Sequence, residues 1–222
     1  MNISKMKIVL WIVVVTLIVA MSGCKKSDNT LNRDSLNSLK EARGYDNLYG
    51  FIEGMAIVEK GNYKWFIDIK DGNEIGQEKQ YDDVRSFDEG MAPVKKDSIW
   101  FFIDKEGNEY WKDREYDYVD SFNEGMAIVH KDGYFGYWFF IDKEGNEYWK
   151  DRKYDFVDSF NEGMAMVKKD GYWFFIDEEG NEIGREEKYN DVWPFTIGIA
   201  QVEKDGKVFY INKQGEIVKK EE

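Results

Sequence analysis

The sequence predicts an all-β protein made of five tandem repeats. A tyrosine followed six positions later by a phenylalanine, and three positions after that by a glycine, recurs five times, and the glycines lie 36, 35, 38 and 35 residues apart. Asp-Gly turns join short apolar runs in the last three repeats, which is a strong signal for β-hairpins. No stretch shows sustained helical periodicity. Self-similarity at this period is typical of repeat architectures.

The repeats fill the chain from residue 45 to residue 222. Their predicted bounds are 45–80, 81–115, 116–153, 154–188 and 189–222. We predict antiparallel β-meanders of about three strands each, arranged as an elongated array. A five-bladed propeller is the alternative, but a blade usually has four strands and each repeat is short for that.

The strand that reads "WFFID" in the second repeat is apolar on both faces. Because alternate residues of a strand face opposite sides, Trp100 and Phe102 share one face while Phe101 and Ile103 share the other. Such a strand needs apolar cover on each side. Stacking of one repeat against the next would supply that cover.

The first 23 residues read as a secretory signal peptide. Lys5 and Lys7 precede an apolar run from Ile8 to Met21, and small residues follow before Cys24. The apolar run is too short for a helix that spans a bilayer, which needs about 20 residues. Residues 21–24, "MSGC", resemble the lipobox of bacterial lipoproteins. The resemblance implies lipidation of Cys24, which would become the mature N-terminus and anchor the protein in a membrane.

Residues 24–44 form a polar segment without aromatic residues, which predicts a flexible tether. Its second half has the composition of a short helix from Ser35 to Arg43 that Gly44 would end. An isolated helix of that length is marginal in water.

The composition excludes some functions. The chain has a formal net charge of −13, and loss of the two signal-peptide lysines makes it more negative. An acidic surface repels phosphates, so we expect no nucleic-acid partner. Cys24 is the only cysteine, so we expect no intramolecular disulfide and no thiol for metal or nucleophilic chemistry.

The polar residues that recur predict structural roles rather than catalysis. His130 is the only histidine, and its counterparts in other repeats carry either charge, which indicates a solvated position. A glutamate precedes the repeat glycine four times, and an aspartate ends the second apolar strand of the hairpin four times. A catalytic pair needs two different environments in one site. Repetition therefore favours turn-stabilising hydrogen bonds, and we predict no enzyme activity, no metal site and no cofactor.

The aromatic residues carry one binding hypothesis. "NEYWKDR" occurs twice and places two aromatic side chains next to each other, Tyr110 with Trp111 and Tyr148 with Trp149. In a strand, one member of each pair faces away from the other. These four residues are candidates for a surface that stacks on sugar rings. The alternative is that both faces are buried between repeats, where large aromatic side chains usually contribute to packing.

The repeat pattern "YD-x-V-x-x-F-x-E-G-M-A-x-V", followed by "W-F-F-I-D-x-x-G", resembles the WG-repeat family of bacterial β-rich repeats. The resemblance covers all five repeats and implies a repeat scaffold outside the cytoplasm, without a defined activity. The chain departs from the family's usual Trp-Gly core at one position. The glycine is replaced by Trp65, Phe101, Phe139, Phe174 and Phe209.

Together these observations predict a lipid-anchored repeat protein of a bacterial cell envelope. We expect it to bind a protein or a glycan partner without catalysing a reaction. The alternative function is a carbohydrate-binding or cell-wall-binding module that uses the exposed aromatic side chains of Trp111 and Trp149.

Overall fold

The computed structural model describes residues 33–133 and 136–220. The predicted signal peptide and the lipidation site at Cys24 lie outside these residues. In this part of the chain one α-helix, α1 (Arg33–Arg43), precedes twenty β-strands. No helix among the described residues is long and apolar enough to cross a membrane.

The strands form five four-stranded antiparallel sheets, one for each predicted repeat. The first sheet contains β1 (Asn47–Ile52), β2 (Met55–Lys60), β3 (Tyr63–Asp68) and β4 (Glu74–Ile75). The second contains β5 (Asp83–Val84), β6 (Met91–Lys96), β7 (Ile99–Asp104) and β8 (Glu109–Tyr110). The third contains β9 (Tyr118–Val119), β10 (Met126–Lys131), β11 (Tyr137–Asp142) and β12 (Glu147–Tyr148). The fourth contains β13 (Phe156–Val157), β14 (Met164–Lys169), β15 (Tyr172–Asp177) and β16 (Glu182–Ile183). The fifth contains β17 (Asp191–Val192), β18 (Ile199–Lys204), β19 (Lys207–Asn212) and β20 (Ile217–Lys220).

The prediction of an all-β chain of five antiparallel repeats is confirmed, but the predicted number of strands per repeat is wrong. Each described sheet has four strands in sequence order, not three. The strand that was missed is the first, which is only two residues long in the last four sheets. Two residues show no alternation that a sequence pattern could reveal. A propeller blade also has four strands, so the number of strands no longer favours an open array over a propeller.

The central hairpin of each sheet follows its turn residues. In the fourth sheet β14 and β15 pair over six residues, from Met164 opposite Asp177 to Lys169 opposite Tyr172. The turn between them has positive φ at both Asp170 and Gly171. A type I′ hairpin turn requires this geometry, and Asp-Gly adopts it readily. The predicted hairpins are confirmed.

Consecutive sheets of the later repeats bury both faces of their central strands. Phe174 joins a core cluster that includes Phe140 of the third sheet, whereas its neighbour Phe175 joins a cluster that includes Phe195 of the fifth repeat. Phe174 and Phe175 point to opposite faces of β15 because side chains alternate along a strand. The predicted apolar cover on both sides of the strand is therefore confirmed here.

Helix α1 covers one face of the first sheet. Leu39 packs against a buried cluster that includes Tyr45 and Trp65, and Gly44, with φ of 64°, follows the last helical residue. The short helix noted in the sequence is present and begins two residues earlier, at Arg33. Tertiary packing gives this helix the stability that its length alone would not.

The described chain groups into two compact units. The first contains the described residues up to Ser98 together with Phe102–Glu109. The second contains Ile99–Phe101 and the described residues from Tyr110 onward.

Candidate interaction surface

Three side chains of the third sheet form the start of an aromatic stripe. Tyr118 of β9, His130 of β10 and Trp138 of β11 lie directly opposite one another across the strands. The Trp138 ring lies 4.6 Å from the His130 ring and 5.4 Å from the Tyr118 ring, centroid to centroid. All three are partly exposed. The sequence predicted a solvated His130, whereas the structure half-buries it against Trp138.

The fourth sheet continues the stripe at the same register. Phe156 of β13, Lys168 of β14 and Trp173 of β15 are the corresponding cross-strand neighbours. The Phe156 ring lies 6.2 Å from Trp138 and 5.4 Å from Trp173, and the Lys168 ammonium lies 5.3 Å from the Trp173 ring. Phe156 is 42% exposed. We call these six residues the aromatic stripe: Tyr118, His130, Trp138, Phe156, Lys168 and Trp173.

The fifth sheet and the first unit have different residues at the corresponding positions. In the fifth sheet the corresponding positions hold Asp191, Glu203 and Val208, which lie opposite one another in the same register. In the first unit Lys64 of β3 forms an ion pair with Asp83 of β5 at 2.6 Å. Lys64 and Asp83 occupy the positions that Trp173 and Asp191 hold later in the chain. Polar or ionic contacts thus replace ring contacts at these positions of the fifth sheet and of the first unit.

The structure gives the predicted ligand-binding aromatics a packing role. Trp111 and Trp149 have φ of 56° and start the 3₁₀ turns Lys112–Arg114 and Lys150–Arg152. A Cβ atom added to Gly180 would lie 2.2 Å from Nε1 of Trp149, and one added to Gly145 would lie equally close to Nε1 of Trp111. Each indole therefore rests on a glycine of the following repeat, which needs that glycine to have no side chain.

The tyrosines of the same motif are also engaged. Tyr148 donates a hydrogen bond to Asp142 at 2.9 Å, and its ring packs with Trp149 against the core cluster between the third and fourth sheets. Tyr110 lies 5.8 Å from Trp111, ring to ring. All four predicted residues are half-buried. Ligand binding by Tyr110, Trp111, Tyr148 and Trp149 stays a prediction, and their contacts support the packing alternative.

Junctions without the Tyr-Trp pair use a smaller contact. Where the third and second repeats have Tyr-Trp, the first and fourth have Ile-Gly. A Cβ atom added to Gly107 would lie 3.2 Å from the Ile75 methyl, and Gly215 has the same relation to Ile183. The Tyr-Trp and Ile-Gly pairs therefore occupy equivalent positions, and each contacts a glycine of the following repeat. This equivalence was missed in the sequence, although the alignment of "EYWK" with "EIGR" contains the signal.

The recurring glutamates connect successive repeats. Glu124 accepts hydrogen bonds from the backbone amides of Glu162 and Gly163 at 2.8 and 2.7 Å. Glu162 in turn accepts from Ile197 and Gly198 at 2.6 and 2.8 Å. Hydrogen bonds from these two amides lower the pKa of the Glu162 carboxyl.

Glu53 has the same role in the first unit. It accepts from the Gly90 amide at 3.0 Å and pairs with Lys105 at 3.0 Å. Burial raises the pKa of Glu53, but the hydrogen bonds from Lys105 and Gly90 outweigh this and the net pKa is lowered. Glu53, Glu124 and Glu162 therefore serve as structural acceptors, in agreement with the structural role that the sequence predicted.

The strand-end aspartates close their own turns, as predicted. Asp177 accepts hydrogen bonds from the amides of Glu179 and Asn181 at 3.1 and 2.7 Å, and Asp104 has equivalent bonds. Hydrogen bonds from Asn146 and Tyr148 lower the pKa of Asp142, although burial acts in the opposite direction. Among the described residues no cluster of three His, Cys, Asp or Glu side chains has metal-binding geometry.

An arginine, the repeat's opening tyrosine and a glutamate form a further junction. Nη1 of Arg114 donates to the Gly145 carbonyl at 2.6 Å and to Tyr116 at 3.2 Å. The Tyr116 hydroxyl donates to Glu147 at 3.1 Å. Burial raises the pKa of Tyr116. Arg43 at the end of α1 donates to Tyr45 and to Glu74, so the helix supplies the first repeat with an arginine comparable to the one that the preceding repeat supplies to the third.

The WG containing repeat model matches five segments, residues 43–65, 70–98, 100–135, 138–173 and 187–207. These segments cover well over half of the chain. The chain belongs to the WG-repeat family. The family's glycine position is filled here by rings, four of which are buried, at Trp65, Phe101, Phe139 and Phe174. The WG-repeat glycine is thus replaced by a core side chain that packs on the opening tyrosine, as in the edge-to-face contact of Phe174 with Tyr154 at 6.1 Å.

Several solved structures are similar in fold to this WG-repeat chain. Hsv2p of Kluyveromyces lactis is 10% identical, with a TM-score of 0.44, and the match covers 78% of this chain and 61% of that one. The extracellular domain of BT4673, a one-component system of B. thetaiotaomicron, is 12% identical, with a TM-score of 0.40. That match covers 80% of this chain and 30% of the BT4673 domain. No curated protein sequence matches this chain.

Proposed function

We propose that this WG-repeat chain is a non-enzymatic, lipid-anchored interaction scaffold of a bacterial cell envelope. The observation that carries the proposal is the aromatic stripe. Its rings are partly exposed and follow one register across two sheets. Aromatic side chains at a surface are typical of binding sites, because each presents a large apolar area with little conformational freedom to lose.

The polar residues that recur through the repeats support a scaffold. Glu124 and Glu162 bond to backbone amides of the next repeat, and Asp177 bonds to its own turn. A catalytic acid or base must be free to exchange a proton with a substrate. These carboxylates are hydrogen-bonded to backbone amides instead. The contacts of the two glutamates join consecutive repeats, which supports a scaffold.

The N-terminal sequence supports the anchor. Lys5 and Lys7, the short apolar run and Cys24 have the order of a lipoprotein signal peptide. A single lipid chain binds a membrane only marginally, whereas several chains anchor a protein stably. Lipidation at Cys24 and a polar segment before α1 would hold the repeats close to a membrane surface.

Site-specific photo-crosslinking tests the scaffold role. p-Benzoylphenylalanine is introduced at Phe156 in the stripe or at Tyr172, which lies in the same sheet outside the stripe and is 39% exposed. Irradiation of the producing cells should give a discrete adduct from position 156 and none from position 172. Identical adducts at both positions, or none at either, would contradict the proposal.

The anchor has its own test. Cys24→Ser should move the protein from the membrane fraction to the soluble fraction and abolish labelling by a radioactive fatty acid. A Cys24→Ser protein that stays with the membrane would refute lipid anchoring without affecting the scaffold role.

A further inference from the structure

We infer that the aromatic stripe binds a linear β-linked polysaccharide, with sugar rings over Trp138 and Trp173. This inference rests on the proposed function and names the class of ligand. It differs from the sequence-based hypothesis in the residues that bind, because Trp111 and Trp149 rest on glycines of the following repeats.

The chemistry of the stripe fits a sugar. Pyranose rings have C–H groups on their flat faces and hydroxyls at their edges. Such a ligand suits rings that provide apolar area beside a few polar groups that fix its orientation. The stripe provides the rings of Tyr118, Trp138, Phe156 and Trp173. His130 lies between Tyr118 and Trp138 in the strand order, and Lys168 lies between Phe156 and Trp173, so both supply hydrogen-bonding groups beside the rings.

The charge of the stripe favours a polysaccharide over a basic peptide. His130 and Lys168 are its two basic members, and it contains no carboxylate. The chain as a whole is acidic, with a formal net charge of −13. A basic peptide would be attracted to that acidic surface rather than to the stripe. Hydroxyl, ring and acetamido oxygens would instead accept hydrogen bonds from the Lys168 ammonium.

The spacing of the stripe also favours a polysaccharide. Trp138 and Trp173 occupy equivalent positions in consecutive sheets, and Phe156 lies between them. The ring centroids of Trp138 and Phe156 are 6.2 Å apart and those of Phe156 and Trp173 are 5.4 Å apart, so the three rings form a continuous apolar row. A continuous row of rings suits an extended, linear chain of sugars better than a single sugar or a curved chain.

Isothermal titration of the full chain in phospholipid nanodiscs tests this inference. The probes are the hexasaccharides of β-1,4-linked N-acetylglucosamine and glucose, with the α-1,4-linked glucose hexasaccharide and free N-acetylglucosamine as comparisons. We expect saturable binding of at least one β-linked hexasaccharide. The α-linked chain, which curves, and the monosaccharide should bind at least tenfold more weakly.

The fifth repeat indicates which substitutions to make. Phe156→Asp and Trp173→Val introduce the residues found at the equivalent positions Asp191 and Val208. The double variant should raise the dissociation constant at least tenfold. Phe156→Asp alone, at an exposed position, should raise it at least threefold. Tyr172→Ser is the matched control and should leave binding unchanged. Circular dichroism and the urea midpoint establish that each variant is folded.

The other outcomes overturn the inference in distinguishable ways. Binding that survives Phe156→Asp but is lost in Trp149→Gly would place the glycan at the junction indoles. No saturable binding of either β-linked hexasaccharide, together with a protein adduct from position 156, would overturn the polysaccharide and leave the scaffold standing. Absence of both binding and adduct would overturn the inference and the proposed function together.

Discussion

The Glu162 carboxylate accepts a hydrogen bond from the backbone amide of Gly198, 2.8 Å away in the next repeat. Glu124 has the same relation to Gly163 at 2.7 Å, so the contact recurs at the same place in successive repeats. The fifth repeat has Ile197 where the others have this glutamate, and Ile197 is 90% exposed. The series of carboxylates in the second unit is therefore interrupted at the fifth repeat.

Removal of the charge at Glu162 should weaken this junction. Glu162→Gln keeps one acceptor oxygen for two amide donors, so we expect a lower urea midpoint, and Glu162→Ala should lower it further. Glu179→Gln, at an exposed position in the same repeat, is the matched control and should leave the midpoint unchanged. Equal midpoints for all three variants would show that the carboxylate contributes nothing to the stability of the fold.

Acid should destabilise the protein through the same carboxylates. The folded-state pKa values of Glu53 and Glu162 are lowered. A group with a lowered pKa stabilises the fold above its unfolded pKa, and this contribution is lost as pH falls through the folded value. The ordinary pKa of a glutamate is 4.5. As the pH decreases below about this value, the free energy of unfolding should therefore decrease. Urea titrations between pH 7 and pH 3 measure this, and Glu162→Gln should make the dependence shallower.

Gly180 should not tolerate a side chain. An alanine there has an unfavourable positive φ, which costs about 1 kcal/mol, and its Cβ overlaps the Trp149 indole. The overlap adds about 1–3 kcal/mol. Gly171→Ala isolates the first effect, since Gly171 also has positive φ but no atom within 4 Å of an added Cβ.

A double variant separates the overlap from other effects of Gly180→Ala. In a Trp149→Gly background, which reproduces the Ile-Gly type of junction, Gly180→Ala should cost no more than Gly171→Ala. Thermal unfolding of the unsubstituted protein, the three single variants and the double variant measures the difference. An unchanged cost in the Trp149→Gly background would contradict the contact between the indole and Gly180.

The Tyr116 hydroxyl should stabilise its junction. Tyr116→Phe removes the hydrogen bond to Glu147 and the contact with Arg114, and we expect a loss of about 1 kcal/mol. Tyr189 is the control, because no described residue forms a hydrogen bond with its hydroxyl. Tyr189→Phe should be neutral in the same urea titration. A larger cost at Tyr189 than at Tyr116 would contradict the assigned role.

Helix α1 should behave as part of the folded first unit. Arg43→Ala removes the 2.7 Å ion pair with Glu74 and leaves that partly buried carboxylate without its charged partner, which should cost about 1–2 kcal/mol. Lys40→Ala, in the same last turn, should have little effect. Hydrogen exchange of the β2 and β3 amides, compared between the two variants, locates the change. Equal protection in both variants would mean that the helix does not stabilise the sheet.

Part of the candidate surface was visible in the sequence. Trp100, Trp138 and Trp173 recur at one position, and His130 was noted for its variable counterparts. The cross-strand register was not visible, because it depends on the two-residue strands β9 and β13 that carry Tyr118 and Phe156. Without those strands the rings are distant in sequence and have no reason to be grouped.

The sequence by itself determined the number of repeats, their β-hairpins and the structural use of the recurring carboxylates. These features depend on local turn chemistry and on a pattern repeated five times. Only the tertiary structure decided which aromatic side chains lie together. Trp149 and Trp173 are both partly buried, but Trp149 lies against Gly180 of the following repeat, whereas Trp173 lies beside Phe156, which is 42% exposed. These contacts depend on what the neighbouring strands and repeats place against each ring, and local patterns do not encode that.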